Sequence, residues 1–350
     1  MRIDQVSGTV TKFTSKDVAR LAGVSQSTVS YVMSGKRPIS EATRRKVLAA
    51  IDGLTYQPNA GARALASRRT SVVGLVIPFH PSVDAVAQLP FIHTIASSAR
   101  AHEHEVLLVT SDEGSAGLRR LAGRSLCDAI VLMDVEARDE RVTVAASLPV
   151  PVVLIGVPDD PAGLRCVDLD FAAAAQMAVD ELAATGHDRL VVLGYPAEIM
   201  QRDLNYVRRF LDAVEAAAAQ HGLPYELIAP VELGRVAAKA AVERVLASGA
   251  GERLGLIVSN SQTPQPVLHA LAARGAIPGR DVSVIGLCPD VAAQETEPPV
   301  TNVSLEPRDV SRRAMETLFW LLEPTPAGPP PAIDLITPHL TRRETVMSRA

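Results

Sequence analysis

The sequence predicts an α/β protein that begins with a small all-α domain of the helix-turn-helix type. Two observations support this prediction. Apolar residues recur at helical spacing in three short stretches of residues 14–57, and residues 70–350 alternate short β-branched runs with longer Ala- and Leu-rich stretches. The 350 residues are enough for two or three domains, and a hydrophobic content of 47% can bury their cores. We expect an N-terminal extension (1–13), the helical domain (14–57), a linker (58–69) and a core (70–350).

Charge is distributed unevenly along the chain. Residues 1–69 contain 12 Lys and Arg against 4 Asp and Glu, whereas the rest of the chain contains 23 against 35. A basic N-terminal part joined to an acidic body is typical of proteins that bind nucleic acid. A solvated basic face is the alternative interpretation.

The cysteines and the N-terminus indicate the compartment. Cys127, Cys166 and Cys288 lie far apart and form no CxxC pair. No signal-peptide pattern is visible at the N-terminus, and no stretch approaches the ~20 apolar residues of a membrane span. We therefore expect a soluble, cytoplasmic protein with reduced cysteines.

Each of the three predicted helices follows a residue that can cap it. Thr14, with Asp17 three residues later, forms a capping-box-like start, and Ser25 and Ser40 precede the second and third helices. The apolar faces are expected to comprise Val18, Leu21 and Ala22, then Val29, Val32 and Met33, then Val47, Leu48, Ile51 and Leu54.

The first two helices, separated by residues 22–25, form a predicted helix-turn-helix. No charged residue occurs between positions 26 and 35. Short polar side chains at the start of such a second helix are where base edges are contacted in the major groove. They are Gln26, Ser27, Thr28, Ser30 and Tyr31. Periodicity alone leaves a plain three-helix bundle equally possible.

The order of residues in this region carries more information than its periodicity. The segment TSKDVARLAGVSQSTVSYVMSGKRPISEATRRKVLAAIDGLTYQPNAGARALASRRT resembles the lactose-repressor/galactose-repressor (LacI/GalR) family of bacterial transcriptional regulators nearly throughout. The resemblance implies that the second helix reads the major groove of an operator. The resemblance implies three kinds of DNA contact. Gln26, Ser27 and Tyr31 read the base sequence, and Thr28 and Ser30, next to Ser25, which is also an implied contact, bind phosphates. Ser15, Lys16 and Ser34 contact the groove edge or the DNA backbone.

A linker follows the helical domain. Pro58 biases Gln57 away from helical conformation and marks the boundary, and Asn59 can cap a short segment, residues 60–67. Gly61 costs about 1 kcal/mol relative to Ala inside a helix, which predicts a poor helix in the free protein. A flexible linker is the alternative.

In the resembled family this segment is a hinge helix that forms on operator binding. Two copies lie in the minor groove and wedge a Leu between base pairs, a contact that unstacks the bases and bends the DNA. By match, Leu65 is that residue here, and Ala62 and Arg63 line the groove beside it. Asn59, at the start of the segment, is also an expected DNA contact.

The core is predicted to contain parallel sheets covered by helices on both faces. The strand candidates are residues 71–77, 105–110, 129–133, 150–156, 189–194, 254–259 and 281–287. The helix candidates between them are residues 93–103, 171–185, 206–221, 235–248 and 264–274. Their distribution before residue 160 and after residue 190 suggests two similar lobes.

The core also resembles the family and the related periplasmic sugar-binding proteins. The segments VVLIGVPDD, GHDRLVVLG, ARGAIPGRDVSVIGL, TEPPVTNVSLEP and HLTRRET occur in the expected order. The resemblance implies a periplasmic-binding-protein-like core of two doubly wound subdomains, joined by three crossovers, with a ligand in the cleft between them.

The sequence departs from the family at the positions that usually hold the ligand. Three charged groups that clamp sugars are replaced by Tyr206, Ser261 and Cys288, and Arg202 lies near enough to substitute for one of them. Charge-assisted hydrogen bonds are the stronger ones. This predicts an effector that is less polar than a sugar, or one whose own charge meets Arg202 or Arg208, or a cleft without a ligand.

Other functions are disfavoured. The chain has no GxGxxG after a strand, no phosphate loop and no GxSxG elbow, and the nearby His102 and His104 are expected to be solvated rather than metal-binding. We therefore expect that the protein is not an enzyme and binds no cofactor. A solute-binding protein would need a secretion signal.

The favoured hypothesis is a homodimeric repressor of a near-palindromic operator, controlled by a small effector. The C-terminal residues after the last predicted strand contain no Leu heptads, which predicts a dimer rather than a tetramer.

Overall fold

The computed structural model describes residues 13–34, 37–56, 69–78, 85–230, 232, 234–247, 252–326 and 328–348. The chain divides into two compact units, residues 1–70 and residues 71–350.

The first unit contains the three predicted helices, α1 (Ser15–Ala22), α2 (Gln26–Ser34) and α3 (Glu41–Gly53). All three predicted caps are confirmed. The Thr14 backbone N–H donates to the Asp17 carboxylate at 2.9 Å, the Thr28 N–H donates to the Ser25 hydroxyl at 3.1 Å, and the Thr43 N–H donates to the Ser40 hydroxyl at 3.3 Å. Each contact satisfies a backbone or capping group that the first helical turn leaves without a partner.

A glycine turns the chain between α1 and α2. Gly23 follows α1 with φ of 65°, a left-handed conformation that favours glycine because no Cβ meets the following carbonyl. Its N–H returns to the last turn of α1, and two residues later Ser25 caps α2. The chain therefore reverses within a few residues, and α1 packs against both α2 and α3.

The core of this unit is small. Val18, Val29 and Val47 are fully buried at its centre, with Ala19 and Ala50 beside them. Three short helices enclose little volume, and Val and Ala fill it.

Three residues of the predicted apolar faces therefore stay outside. Leu21, Leu48 and Met33 are 58%, 46% and 37% exposed, so the prediction that they belong to the buried faces is wrong. Ala22, predicted on the same face as Leu21, does pack against the core, and on α3 the predicted Val47 holds the inward position next to Leu48.

The second unit contains two lobes, each built on a six-stranded sheet. In the first lobe the strand order is β11-β5-β4-β3-β1-β2, and every neighbouring pair is parallel. Its strands are β1 (Val72–Ile77), β2 (Glu105–Thr110), β3 (Ala129–Leu132), β4 (Val152–Ile155), β5 (Arg165–Leu169) and β11 (Ile333–Ile336). Its helices are α4 (Ala85–Ala101), α5 (Gly114–Gly123) and α6 (Glu140–Ala146), and a 3-10 turn spans Ser111–Glu113.

In the second lobe the order is β12-β10-β9-β8-β6-β7, and only the β10–β12 pair is antiparallel among these described strands. Its strands are β6 (Arg189–Leu193), β7 (Tyr225–Ile228), β8 (Leu254–Val258), β9 (Val282–Leu287), β10 (Thr301–Val303) and β12 (Leu340–Thr341). Its helices are α7 (Phe171–Ala184), α8 (Ala197–Gln201), α9 (Asn205–His221), α10 (Arg235–Ala247), α11 (Pro264–Ala272) and α12 (Asp290–Gln294).

The chain passes between the lobes three times, as the resemblance implied. It crosses from β5 through α7 to β6, returns from β10 through α13 (Pro307–Leu322) to β11, and crosses again from β11 to β12. The helix α13 packs on the first sheet, and α7 packs beside α9 on the second. Parallel strands in both sheets end on the sides that face the cleft, which is where α/β folds bind ligands.

Candidate nucleic-acid interface and ligand cavity

The start of α2 carries polar side chains that are open to solvent. Gln26, Ser27 and Ser30 are exposed, whereas Thr28 and Tyr31 are half-buried. Val29 lies on the opposite side of the helix and is fully buried. The helix therefore presents Gln26 and Ser27 outward and leaves Tyr31 partly accessible, while its apolar side holds it to the bundle.

Hydrogen bonds between side chains order this surface. The Gln26 Nε2 donates to the Ser15 hydroxyl at 2.8 Å, which joins the start of α2 to the start of α1. The Ser25 hydroxyl is hydrogen-bonded to the Ser27 hydroxyl at 2.7 Å and to the Thr28 hydroxyl at 2.8 Å. The structure therefore brings together five residues that the sequence predicts to contact DNA.

The same unit also carries exposed basic groups. Lys16 is exposed at the start of α1, and Arg44, Arg45 and Lys46 are exposed on α3. The Arg37 guanidinium lies over the Tyr31 ring, 5.3 Å from its centroid. Positive charge around neutral hydrogen-bonding groups fits a surface that meets phosphates at its edges and bases at its centre.

Some of the predicted contacts fall outside the described part of the chain. Asn59, Ala62, Arg63 and Leu65 lie outside the described residues, so they stay predictions. Ser34 is the last residue of α2.

A cavity of about 430 Å³ lies between the two lobes of the second unit. Both lobes contribute to its wall, and Tyr206 and Ser261, two of the predicted effector-binding residues, are among the lining residues. Its volume is in the range of small-molecule sites.

The other two predicted ligand-contacting residues do not line this cavity. Cys288 is 1% exposed and packs in the apolar core of the second lobe, and burial raises the pKa of its thiol to about 12. The residues on either side of it, Leu287 and Pro289, are at the wall instead. Arg202 follows α8 and binds Asp134, a residue of the wall.

Aromatic rings form one part of the wall. The Tyr206 ring lies 5.0 Å from the Phe171 ring and 5.7 Å from the Tyr195 ring, edge to face in the second case, and Phe91 also lines the cavity. Burial raises the pKa of both tyrosine hydroxyls above the ordinary value, so both stay protonated and can donate or accept hydrogen bonds.

Two carboxylates form another part of the wall. Asp134 follows β3 and binds the Arg202 guanidinium, with 2.5 Å between Nη2 and Oδ2; Asp168 lies on β5 and binds the Arg209 guanidinium. Burial raises the pKa of the Asp168 carboxyl to about 6, and the Arg209 charge opposes that shift. Among the described residues, none of those lining the cavity is Lys, Arg or His.

The sequence interpretation missed four of these groups: Asp134, Asp168, Phe171 and Tyr195. A signal was available, since each of them lies at or just after the carboxyl end of a strand, where parallel sheets bind ligands. Another part of the wall, from Ser259 to Gln262, follows β8 in the same way.

The described residues contain neither a membrane-spanning helix nor a cluster of metal ligands. None of their helices is both long and apolar enough to cross a membrane. They contain no group of three His, Cys, Asp or Glu side chains that could hold a metal ion. His104 lies 3.7 Å from Asp128 and beside the ring of Phe319, which in turn stacks on His102.

Two regions of the chain match known families. Residues 14–59 match the family described as bacterial regulatory proteins, lacI family, and residues 179–346 match the periplasmic binding protein-like domain. Catabolite control protein A of Streptococcus mutans is 31% identical over 312 residues, which cover 87% of this chain and 90% of that protein. The HTH-type transcriptional regulator CelR of Thermobifida fusca is 29% identical over 323 residues, covering 86% and 89%.

Solved structures share the fold. The crystal structure of the lac repressor dimer bound to operator and the anti-inducer ONPF superposes with a TM-score of 0.79 at 21% identity, covering 96% of this chain and 99% of that one. A complex of the transcriptional regulator CelR with cellobiose gives a TM-score of 0.63 at 24% identity, covering 95% and 99%. This chain belongs to the lacI family of bacterial regulatory proteins, and it is a DNA-binding transcriptional regulator with a periplasmic-binding-protein-like effector domain rather than an enzyme.

Proposed function

We propose that the protein is a cytoplasmic repressor that binds a near-palindromic operator as a homodimer, and that a small effector in the inter-lobe cavity sets its operator affinity. The observation that carries the DNA-binding part is the exposed, uncharged polar start of α2, held in place by buried Val29 and flanked by basic groups. The relative solved as a dimer on its operator supports the stoichiometry. A two-fold protein matches a two-fold site.

Within this proposal the residues of α1 and α2 divide by role. Gln26, Ser27 and Tyr31 read bases, because an amide or hydroxyl can donate to and accept from base edges. Thr28, Ser30, Ser25, Ser15, Lys16 and Ser34 are assigned to phosphates and the groove edge. Residues 58–69 act as a hinge whose Asn59, Ala62, Arg63 and Leu65 contact the minor groove.

A mobility-shift titration tests the DNA-binding proposal. The probe is DNA from upstream of the gene that encodes this chain, and the variant is Gln26→Ala. Gln220→Ala is the matched control because Gln220 is an exposed glutamine on α9 in the other unit. We expect binding to a discrete site that Gln26→Ala weakens at least fivefold and Gln220→Ala leaves unchanged, within the ~1–3 kcal/mol of a good base contact. Equal affinity for upstream and unrelated DNA contradicts the proposal.

The effector is proposed to be a small molecule without negative charge. Of the two alternatives that the sequence left for a bound effector, one required Arg202 or Arg208 to meet a charged ligand. Arg202 binds Asp134, and Arg208 binds Asp159, so both guanidinium groups already have carboxylate partners. This supports the less polar alternative, with Tyr206 and Ser261 as direct contacts, Arg202 acting through Asp134, and Cys288 shaping the wall from behind.

A thermal-shift panel tests the effector proposal. Common mono- and disaccharides, nucleosides, amino acids and organic acids are compared, since a ligand at 100 times its dissociation constant adds about 2.7 kcal/mol of stability. We expect stabilisation by a neutral compound that is less polar than a free sugar, and its loss in Tyr206→Ala. A clear shift with an organic acid contradicts the charge assignment. A clear shift with a simple neutral sugar, lost in Ser261→Ala and Cys288→Ala, would show that the usual sugar clamp persists.

A further inference from the structure

We propose that Arg202 and Arg209 are positioning residues that hold the two lobes of the effector domain closed by themselves, so that closure does not depend on a ligand. The proposal deepens the function above, because it concerns regulation at the same cavity. Closure itself is measured without DNA, so the two proposals can fail separately.

The contacts that join the lobes are concentrated at the start of α9 and the turn before it. Five arginine–carboxylate pairs cross from one lobe to the other in this region. They are Arg202–Asp134, Arg209–Asp168, Arg208–Asp159, Arg138–Asp203 and the longer Arg202–Glu136. In each pair one residue follows or belongs to a strand of the first sheet, and the other belongs to the segment between β6 and β7.

Burial separates the pairs that can hold the lobes from those that cannot. The side chains of Arg202 and Asp134 are 26% and 13% exposed, and those of Arg209 and Asp168 are 21% and 10% exposed. Exposed pairs contribute little because water screens them, whereas removal of one partner from a largely buried pair leaves an uncompensated charge. Arg208–Asp159 and Arg138–Asp203 are exposed, so the first two pairs dominate.

Backbone groups add directional contacts at the same place. The Ala137 N–H donates to the Asp203 carbonyl at 2.8 Å, and the buried Asn205 side chain donates from Nδ2 to the Val157 carbonyl at 2.7 Å. Both bonds cross between the lobes. Neither can persist if the lobes separate, because hydrogen bonds weaken steeply with distance.

The two dominant pairs also lie at the cavity. Asp134 and Asp168 line its wall, and the Arg209 guanidinium lies 5.9 Å from the centroid of the Phe171 ring, which lines it too. Every one of these contacts joins two groups of this chain, so closure requires no third partner. An effector that binds there must therefore act on a domain that is already closed, by adding to these contacts or by competing with the arginines for the two carboxylates.

Amide hydrogen exchange of the full-length protein without added ligand tests the proposal. The reporter is the Ala137 amide, and the Ile130 amide, which bonds to Pro151 inside the first lobe, reports on folding. We expect the Ala137 amide of the wild type to be protected from exchange. In Arg202→Gln/Arg209→Gln the exchange rate at Ala137 should rise about tenfold or more, while the rate at Ile130 should not change. Arg120→Gln is the matched control, since the Arg120–Glu113 pair lies within the first lobe.

A charge exchange keeps the test decisive if the double variant unfolds. Asp134→Arg on its own is expected to speed exchange at Ala137, and Asp134→Arg/Arg202→Asp to restore protection. Rapid exchange at Ala137 in the wild type overturns the proposal. An unchanged rate of hydrogen exchange at Ala137 in Arg202→Gln/Arg209→Gln also overturns it. So does a failure of Asp134→Arg/Arg202→Asp to restore protection at Ala137 while Ile130 stays protected.

Discussion

The Gln26 side chain on α2 donates a hydrogen bond to the hydroxyl of Ser15, the first residue of α1, at 2.8 Å. The bond fixes the amide plane of Gln26, because its Nε2 is used inside the protein while its Oε1 stays free to accept. Ser15 thereby becomes a supporting residue for base recognition as well as a predicted DNA contact. A side chain that is ordered before binding loses less conformational entropy when it binds.

Removal of this support should weaken operator binding. Ser15→Ala deletes the acceptor for Gln26, and a net hydrogen bond of about 1 kcal/mol corresponds to roughly a fivefold loss of affinity. Fluorescence anisotropy on the operator measures it. Ser147→Ala, which changes an exposed serine in the other unit, is the control. Unaltered affinity in Ser15→Ala would mean that the Gln26–Ser15 bond has no role in recognition.

The cap at the start of α2 is expected to set the local stability of the helix. Ser25→Ala leaves the Thr28 N–H without its 3.1 Å acceptor, which costs about 1 kcal/mol. The Thr28 amide should therefore exchange roughly fivefold faster with solvent hydrogen. Ser25→Asp retains an acceptor at the cap and should keep the original rate. Equal rates in all three proteins would exclude the cap as the source of stability.

The Asp168 carboxyl predicts a pH dependence of stability. Its pKa is raised to about 6 by burial, above the ordinary value of 3.8, so as the pH falls the folded protein takes up this proton before the unfolded chain does. The sign follows from linkage: this group opposes folding at neutral pH, and the penalty is relieved as the pH falls from about 7 to about 4.

Comparison with Asp168→Asn isolates that contribution. The measured quantity is the unfolding midpoint of the wild type minus that of Asp168→Asn. This difference should rise as the pH is lowered through 6, and the rise should correspond to at most roughly 3 kcal/mol in the free energy of unfolding. Thermal unfolding at a series of pH values measures it. A difference that is constant or falls over this interval would show that the Asp168 pKa is not raised.

The oligomeric state is a separate prediction. In the proposed mode of binding, a single hinge helix cannot fill a minor groove as a symmetric pair does, so that mode requires two copies. Sedimentation at micromolar concentration should give a dimer. A stable monomer or a tetramer under those conditions would refute this prediction.

Much of the fold is predictable because the signals are local. The caps Thr14, Ser25 and Ser40 each precede a helix at the expected residue, and all seven predicted strands are present. Continuous runs of β-branched residues identify buried strands of parallel sheets without any knowledge of their neighbours. The order of the strands and the three crossovers required the family resemblance.

The parts that were missed depend on tertiary contacts. The strand β10 has only three residues, and both β5 and β10 include polar residues such as Asp168 and Asn302, so their patterns resemble those of loops. The arginine–carboxylate pairs join residues 41 to 68 positions apart in the sequence, and periodicity cannot identify such partners. Cys288 was placed at the ligand by matching its position in the chain, yet its side chain points into the core of the lobe, which only packing decides.

Base preference tests the central claim most directly, namely that the start of α2 reads the operator. A pool of randomised operator half-sites is selected with the wild type and with variants at Gln26, Ser27 and Tyr31, and the selected sites are sequenced. We predict that each variant shifts the preferred base at one or two positions of the half-site, with about 1–3 kcal/mol of discrimination changed per position. If each variant loses affinity by the same factor for every sequence and keeps the wild-type base preference, these residues contact the DNA backbone and the account is contradicted.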